Sequence, residues 1–502
     1  MRATGRSPFP RPEGPSGGGR GTLRRVTTQA KSLLQLSWPL VISFTARSLL
    51  TSIDLPYASR LPDADAALAA IGLSFPLEFA FIACWVGTSA ALTSHLSRAM
   101  GERCERRIEQ LRRTTLGIVV ALAALFLALA TGIALFADAL LGDRVSPAVV
   151  SNFRVYAPVL LAGVALVGFW STIPDSIVKA HHDTRSTMIA GLITGVGNLL
   201  LNTLFLFVFE LGIFGIALAT GLARAGSLSY ALWRAHRLEE ARRTRWAKEG
   251  EGAAASPSAG VRADGCLERP LRALLALAVP SALTFVLMGS ENFAVNWILA
   301  RYPEATASIA AYAIYHRAVL LALMPIIATG VAVLPFAARH LGEGNLPEVE
   351  RGLRQAFVLS VVYILCVVFP LCLGGGAALA DFLAEGAATR GLVRFAVRYA
   401  VPLGALAAFP FVLCRPAFEA VQRGTPGLLM ALLRYLVLSV PLGLFGAHIA
   451  RQRGLDPFYG LAFGLIGGTA VVSLAFTGWL MHLFLDLRRR AGSPAHTALE
   501  GG

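Results

Sequence analysis

The sequence is short of charge. Only 15% of its 502 residues are Asp, Glu, Lys or Arg, whereas soluble globular chains carry about 25%. A soluble chain this long needs more charge than that to clothe its surface, so a soluble enzyme and a disordered tail protein are excluded. Cysteine is scarce as well. The six (Cys84, Cys104, Cys266, Cys366, Cys372 and Cys414) form no CxxC pair and no metal spacing. Three or more lie in apolar runs and read as small core residues; nothing implies disulfides. Enzymatic motifs are missing: there is no HExxH, no GxSxG and no phosphate-binding GxxxxGK[ST]. An ATP-driven pump needs a nucleotide domain, which this chain lacks. His181-His182, beside Lys179, has no ligand at metal spacing except the adjacent Asp183, and reads as a loop pair. Neither a metal nor a cofactor is implied.

Apolar residues are abundant: 55% of the chain, with a mean hydropathy of +0.62. They fall into runs near the length that spans a bilayer. The net charge of +15 is spread over short segments between these runs. No finger, aromatic platform or free basic helix accompanies it, which argues against nucleic acid. The fold class predicted is an all-α integral membrane protein with twelve transmembrane helices. The first span is expected near 36–58 and the last near 458–486. Six spans, a polar break and six spans give an N-terminal lobe over 31–233, a linker over 234–272 and a C-terminal lobe over 273–487. Residues 1–30, rich in Gly, Pro, Ser and Arg, are expected to be a disordered basic arm, and 488–502 a tail. Thirty-two of the 45 Lys and Arg residues fall on the arm's side, nine on the other, and four inside spans. By the positive-inside rule both termini are cytoplasmic, in a cell membrane, most simply a bacterial inner membrane.

An internal repeat supports the division. Leu36-Ser37-Trp38-Pro39 opens the first half as Leu277-Ala278-Val279-Pro280 opens the second, 241 residues later. At the same offset Arg98-Ala99-Met100-Gly101 meets Arg339-His340-Leu341-Gly342. With six spans per half, the copies run parallel across the bilayer. Such repeats are typical of transporters that rock two lobes about a central site.

Charge inside a span is costly and marks function or an ion pair. Asp54 is the foremost candidate, with Arg47 seven residues earlier on the same helical face. Two readings stand: a coupling carboxylate that gains and loses a proton or cation, or a permanent partner of Arg47 or of the outer interface. Asn198 and Asn202 share one face of the fifth span, and Thr220 lies in the sixth. Their oxygens suit a hard cation or a proton-linked network, and equally interhelical glue. Pro39, fifteen residues before Asp54, removes a backbone donor and can hinge the first helix. Glu78 is a second possible partner of Arg47. In the second half Glu291 and Arg317 are candidates for substrate contact or charge pairing, with Arg434 also inside a span; Glu419 and Arg415 sit near the predicted cytoplasmic end and read as interfacial.

The chain resembles the multidrug and toxic compound extrusion family, within the larger multidrug/oligosaccharidyl-lipid/polysaccharide flippase group. The similarity rests on the two six-span halves, on Pro39 with Asp54 in Ser52-Ile53-Asp54-Leu55, and on Asp183-Thr184-Arg185 after the fourth span. It rests also on Asn198 through Asn202 and on Gly212 through Thr220. The resemblance implies two lobes with alternating access, and export of drug-like, often cationic small organic molecules in exchange for protons or sodium. It implies no obligate protein partner. An N-lobe coupling network in one branch maps onto Asp54, Asn198, Asn202 and Thr220. Many relatives have aspartate at the place of Asn202, and that lost charge favours protons over sodium. Gly424-Thr425-Pro426 stands where a second Asp-Thr-Arg is expected. The nearest rival is a lipid-linked oligosaccharide flippase, in which Arg47, Arg224, Arg317 and Arg434 would line a pyrophosphate cavity. A membrane-embedded transferase is a rival of another class. Arginines paired with carboxylates favour the exporter; arginines sharing a cavity favour the flippase.

Overall fold

The computed structural model describes residues 32–50, 54–142, 145–249, 265–302, 305–383 and 386–491. The arm expected over 1–30 and nearly all of the tail lie outside them, as do the side chain of Arg47 and residues 250–264 of the expected linker. The described chain is almost wholly helical. The helices are α1 (Leu33–Leu50), α2 (Asp54–Ala58), α3 (Ala64–Gly101), α4 (Glu105–Leu141) and α5 (Pro147–Ala180). They continue with α6 (Thr184–Phe207), α7 (Gly212–Glu249), α8 (Pro270–Leu299), α9 (Ala305–Gly342) and α10 (Leu346–Phe382). The last three are α11 (Ala387–Ala420), α12 (Thr425–Gln452) and α13 (Pro457–Ala491). Helices α3 to α13 are eleven segments long and apolar enough to cross a membrane. With the first span, carried by α1 and α2, the protein has twelve transmembrane helices in two six-helix lobes.

Helix ends show why the segments begin where they do. Asp183 caps α6, its carboxylate accepting from the Ser186 amide at 3.3 Å and the Ser186 hydroxyl at 2.8 Å. That satisfies donors a helix start leaves open. Asn345 caps α10 through the Glu348 amide at 3.3 Å. Four spans contain a wide π turn, at Val164–Gly168, Ile364–Val368, Ala396–Ala400 and Leu433–Ser439. Such turns are rare and cluster at functional sites. In α12 and α13, Gly446 and Gly460 face one another so closely that a Cβ on either would strike the other's carbonyl. Small residues permit this approach in a membrane bundle.

The lobes meet chiefly through α3 with α8 and α9, and through α1 with α9. Leu33, Leu36 and Leu40 of α1 join the second lobe's core, while another face of α1 packs on α6. The contact is uneven along its length. From Gly87 to Met100 every residue of α3 except Arg98 is buried, whereas Ala64–Val86 is mostly not. Ser94 donates to the Glu419 carbonyl at 2.6 Å, His95 meets the Ala273 carbonyl at 3.3 Å, and His182 stacks on Phe336. At the extreme end a Cβ on Gly101 would collide with the Arg339 carbonyl, and one on Gly342 with the Arg98 carbonyl. These positions are repeat mates, so the two copies touch through equivalent residues, as a parallel repeat about a pseudo-twofold axis requires. The lobes are closed at the end holding Gly101 and Gly342 and part towards the end holding Asp54.

The sixth span exceeds its expected end at 233. Helix α7 continues to Glu249 because its polar extension is tied to α4. Arg242 donates to Glu105 at 3.0 Å and to Glu239 at 2.8 Å, and Glu239 meets His181 at 2.7 Å. Residues 265–267 return to the same helix, where Gln110 and Leu267 exchange two hydrogen bonds of 2.9 Å.

Candidate functional site

Asp54 begins α2, at the parted end of the lobes. The Asn202 amide donates to Asp54 Oδ1 at 2.8 Å and to Asn198 Oδ1 at 3.2 Å. Asn198 donates to Thr220 Oγ1 at 3.0 Å, and the Thr220 hydroxyl reaches Asp54 Oδ2 at 3.4 Å. The four residues named from the sequence thus form one connected group from α2, α6 and α7. The four-residue spacing of Asn198 and Asn202 sets both on one face of α6. Thr220 lies eight residues into α7, about 12 Å from its start.

Two details define what the group can do. Asn202 is fully buried, and its nitrogen serves two acceptors, leaving its own Oδ1 without a hydrogen-bond partner among the described residues. Thr220 has one proton and two acceptors in reach, Asp54 Oδ2 at 3.4 Å and the Ile216 carbonyl at 3.3 Å. A hydroxyl donates once, so its proton can follow the state of the Asp54 carboxyl.

Arg224 of α7 supplies the neighbouring positive charge. It interacts electrostatically with both Asp54 and Glu78, without a direct ion pair to either, and lies 5.1 Å from the Phe81 ring. Tyr156 of α5, buried, faces the same three charged groups. Among the described residues the charge neighbour of Glu78 is Arg224; the expected Glu78–Arg47 pair falls outside them. Arg47's side chain lies outside the described residues. Pro39 is buried inside α1, near the closed end of the lobes.

The second lobe holds a separate polar group. Glu291 of α8 interacts with Arg434, which sits in the π turn of α12. Arg434 lies 4.9 Å from the Phe411 ring and 4.7 Å from the Tyr435 ring, and its Nε is buried with no hydrogen-bond partner among the described residues. Tyr312 and Tyr315 of α9 face the Glu291–Arg434 pair, their rings 6.2 Å apart. Arg317 is exposed and shows no ion pair among the described residues. Among the described side chains, Arg224 and Arg434 therefore do not converge: Arg224 sits by carboxylates of one lobe, Arg434 by Glu291 of the other. Glu419, expected near an interface, is 5% exposed and accepts from Ser281 at 2.6 Å and Arg415 at 2.9 Å. Tyr156 and the role of Arg224 were not foreseen; the only sequence signal was an arginine deep within an apolar run.

Comparison with known proteins places this architecture. The MatE family model matches residues 39–208 and 280–445, one block in each lobe. The chain is 23% identical over 442 residues to a FAD transporter of Shewanella oneidensis, covering 84% of this chain and 89% of that one. It is 24% identical to the probable multidrug resistance protein YoeA of Bacillus subtilis, covering 66% of this chain and 70% of that one. The crystal structure of the Vibrio cholerae MATE transporter VcmN in the bent form matches with a TM-score of 0.76 at 22% identity, over 90% of this chain and 96% of that chain.

Proposed function

The chain belongs to the MatE family of multi-pass membrane transporters, and from that premise we propose that it exports amphipathic organic cations in exchange for protons by alternating access. The observation that carries the reading is the Asp54 group. Its carboxylate is met by an amide nitrogen and a hydroxyl at 2.8 and 3.4 Å, donors that serve a carboxyl exchanging a proton. A sodium ion needs several converging oxygens, and here the Asn202 nitrogen points at the carboxylate. With Asp54 ionised, Thr220 donates to it; with Asp54 protonated, Thr220 turns to the Ile216 carbonyl and the link between α2 and α7 loosens. Ion and substrate then couple through their different affinities for two states.

The basic loops lie at the closed end, so the positive-inside rule makes that end cytoplasmic and this conformation outward-open, with both termini inside a bacterial inner membrane. Lobes over 31–233 and 273–487 move against each other about the Gly101–Gly342 contact. Phe75 and Phe79 of α3, rings 5.9 Å apart, lie in the parted half, where Phe79 approaches Gly289 of α8. This aromatic wall suits a flat amphipathic molecule. Arginines set beside Asp54, Glu78 and Glu291 favour a drug exporter over a pyrophosphate-binding flippase. A second reading, an anionic flavin-type substrate, draws on the exposed Arg317 and on the FAD transporter relative.

Proteoliposomes loaded with a fluorescent organic cation test the proposal when pH and sodium gradients are imposed separately. Transport should follow the pH gradient, and Asp54→Asn should abolish it with the melting temperature unchanged. Undiminished transport by a folded Asp54→Asn protein refutes it.

A further inference from the structure

The repeat makes the two lobes each other's control, and at their cytoplasmic corners they differ. In the N-lobe, Trp38 of α1 and Arg185 of α6 fill the corner, the guanidinium 5.8 Å from the indole ring. Asp183 beside them accepts from Arg234 at 2.6 Å. At the 241-residue offset these four positions become Val279, Pro426, Gly424 and Ala475. The C-lobe has lost the indole, both guanidinium groups and the carboxylate. Gly424 lets the start of α12 lie against α8, since a Cβ there would meet the Ala276 carbonyl at 3.0 Å.

What the missing groups leave is an open groove of about 590 Å³ between α8 and α12, lined by Leu271, Arg272, Leu275, Val279, Pro280 and Thr425. That volume falls within the range of small-molecule sites, about 300–1,000 Å³. Leu271, Leu275 and Val279, spaced by four residues, are 50%, 38% and 48% exposed. They form an apolar stripe beside the α8 face (Leu274, Leu277, Ala278) that is buried. The lobes are closed at this end, so the groove opens outward from the bundle, towards the lipid. Arg272 is exposed and meets no carboxylate among the described residues. Arg423, one residue before Gly424, is likewise exposed and unpaired among them. Glu268 lies on the preceding loop, exposed.

We infer that this groove is a binding site for one anionic phospholipid of the cytoplasmic leaflet. Its acyl chain lies along Leu271, Leu275 and Val279, and its phosphate meets Arg272, with Arg423 adding to the field. An apolar groove lined also by a guanidinium that meets no carboxylate among the described residues matches the chemistry of a charged headgroup on a hydrocarbon chain. Guanidinium binds phosphate through paired N–H donors. One basic side chain near an anionic headgroup is worth about 1 kcal/mol, or about fivefold in affinity at 1.4 kcal/mol per decade.

Native mass spectrometry of the full chain, incubated with phosphatidylglycerol or phosphatidylcholine of matched acyl length, tests the assignment. The protein should retain one phosphatidylglycerol about fivefold more strongly than phosphatidylcholine. Arg272→Gln should erase that preference and Arg272→Lys should keep most of it. Val279→Trp, which restores the indole found in the N-lobe, should exclude both lipids. Circular dichroism melting identifies any variant that fails to fold, and the wild-type preference is read without a variant. Equal retention of the two lipids by the wild type, an undiminished preference in folded Arg272→Gln, or unchanged adducts in folded Val279→Trp would each overturn the assignment.

Discussion

Replacing Gly101 by alanine should unlatch the closed end of the lobes. The added Cβ would collide with the backbone carbonyl of Arg339 and crowd the Glu343 amide, and neither can rotate away as a side chain would. Overpacking a filled site costs about 1–3 kcal/mol. The strain exists only while the lobes touch, so it acts on the closed state alone and shifts the population of the parted state by about 5- to 150-fold. Ala278 reports the shift. It is 6% exposed, and its carbonyl lies where a Cβ on Gly87 of the other lobe would sit. With the native cysteines replaced and Ala278→Cys introduced, the labelling rate by a maleimide supplied from the side of the closed end measures the open fraction. Gly101→Ala should raise that rate by the stated factor. Gly342→Ala should do the same, because its Cβ would meet the Arg98 carbonyl in the mirrored contact. A rate unchanged within twofold in both variants, each folded, would refute the placement of the latch.

Thr220→Val keeps shape and removes the hydroxyl that both Asp54 and Asn198 address. A hydrogen bond to a charged group is worth about 1.5–3 kcal/mol, so proton-driven transport should fall at least about tenfold in proteoliposomes, and Thr220→Ser should recover it. Asp183→Ala should lower the melting temperature, since a helix cap alone is worth about 1 kcal/mol and the bond from Arg234 at 2.6 Å goes with it. Burial opposes ionisation of Asp183, yet bonds from Ser186 and Arg234 outweigh it and hold the carboxyl below its ordinary range. Its contribution is therefore present above about pH 4 and lost as pH falls through the folded value. The wild-type and Asp183→Ala melting curves should converge on acidification; a gap that stays constant to pH 3 would contradict this. For His182, in the α5–α6 turn, burial lowers the imidazole to about 3, with Arg339 adding to the effect. A depressed folded value means stability present above about pH 6.5 and lost as pH drops below it. Labelling of Ala278→Cys, divided at each pH by the rate of a free thiol to remove the loss of thiolate, should accordingly quicken between pH 7 and pH 5, and a flat normalised profile would count against a neutral His182 in the latch.

The sequence displayed the scaffold because the bilayer imposes it: apolar runs near twenty residues long have few alternatives. Asp54, Asn198, Asn202 and Thr220 were legible as separate polar residues in apolar surroundings, and the structure joins them. Their partner was harder to see. Arg47 is near Asp54 in sequence, but Arg224, 170 residues later, is the described charge beside it. That pairing depends on which helices adjoin, which periodicity within one helix does not encode. The continuation of α7 to Glu249 was hidden for a related reason. A polar helix carries little hydropathy signal, and the groups that stabilise it, Glu105 and His181, belong to other segments.

If Asp54 is the proton site proposed above, an element must link it to the closed contact at the other end of the bundle. Helix α3 is one: Glu78, in the parted half, shares the field of Arg224 with Asp54, and Gly87 to Gly101 forms the latch on the same continuous helix. The first span is the other, with Asp54 at one end and Leu33, Leu36 and Leu40 seated in the core of the opposite lobe. Neutralising Asp54 leaves Arg224 with Glu78 as its remaining carboxylate neighbour, so the balance of charge around α3 changes together with the hydrogen bonds that hold α2 to α6 and α7. Both changes fall on segments whose far ends touch the second lobe. On the proposed coupling, a proton bound at Asp54 would bias the Gly101–Gly342 contact through the continuous helix α3.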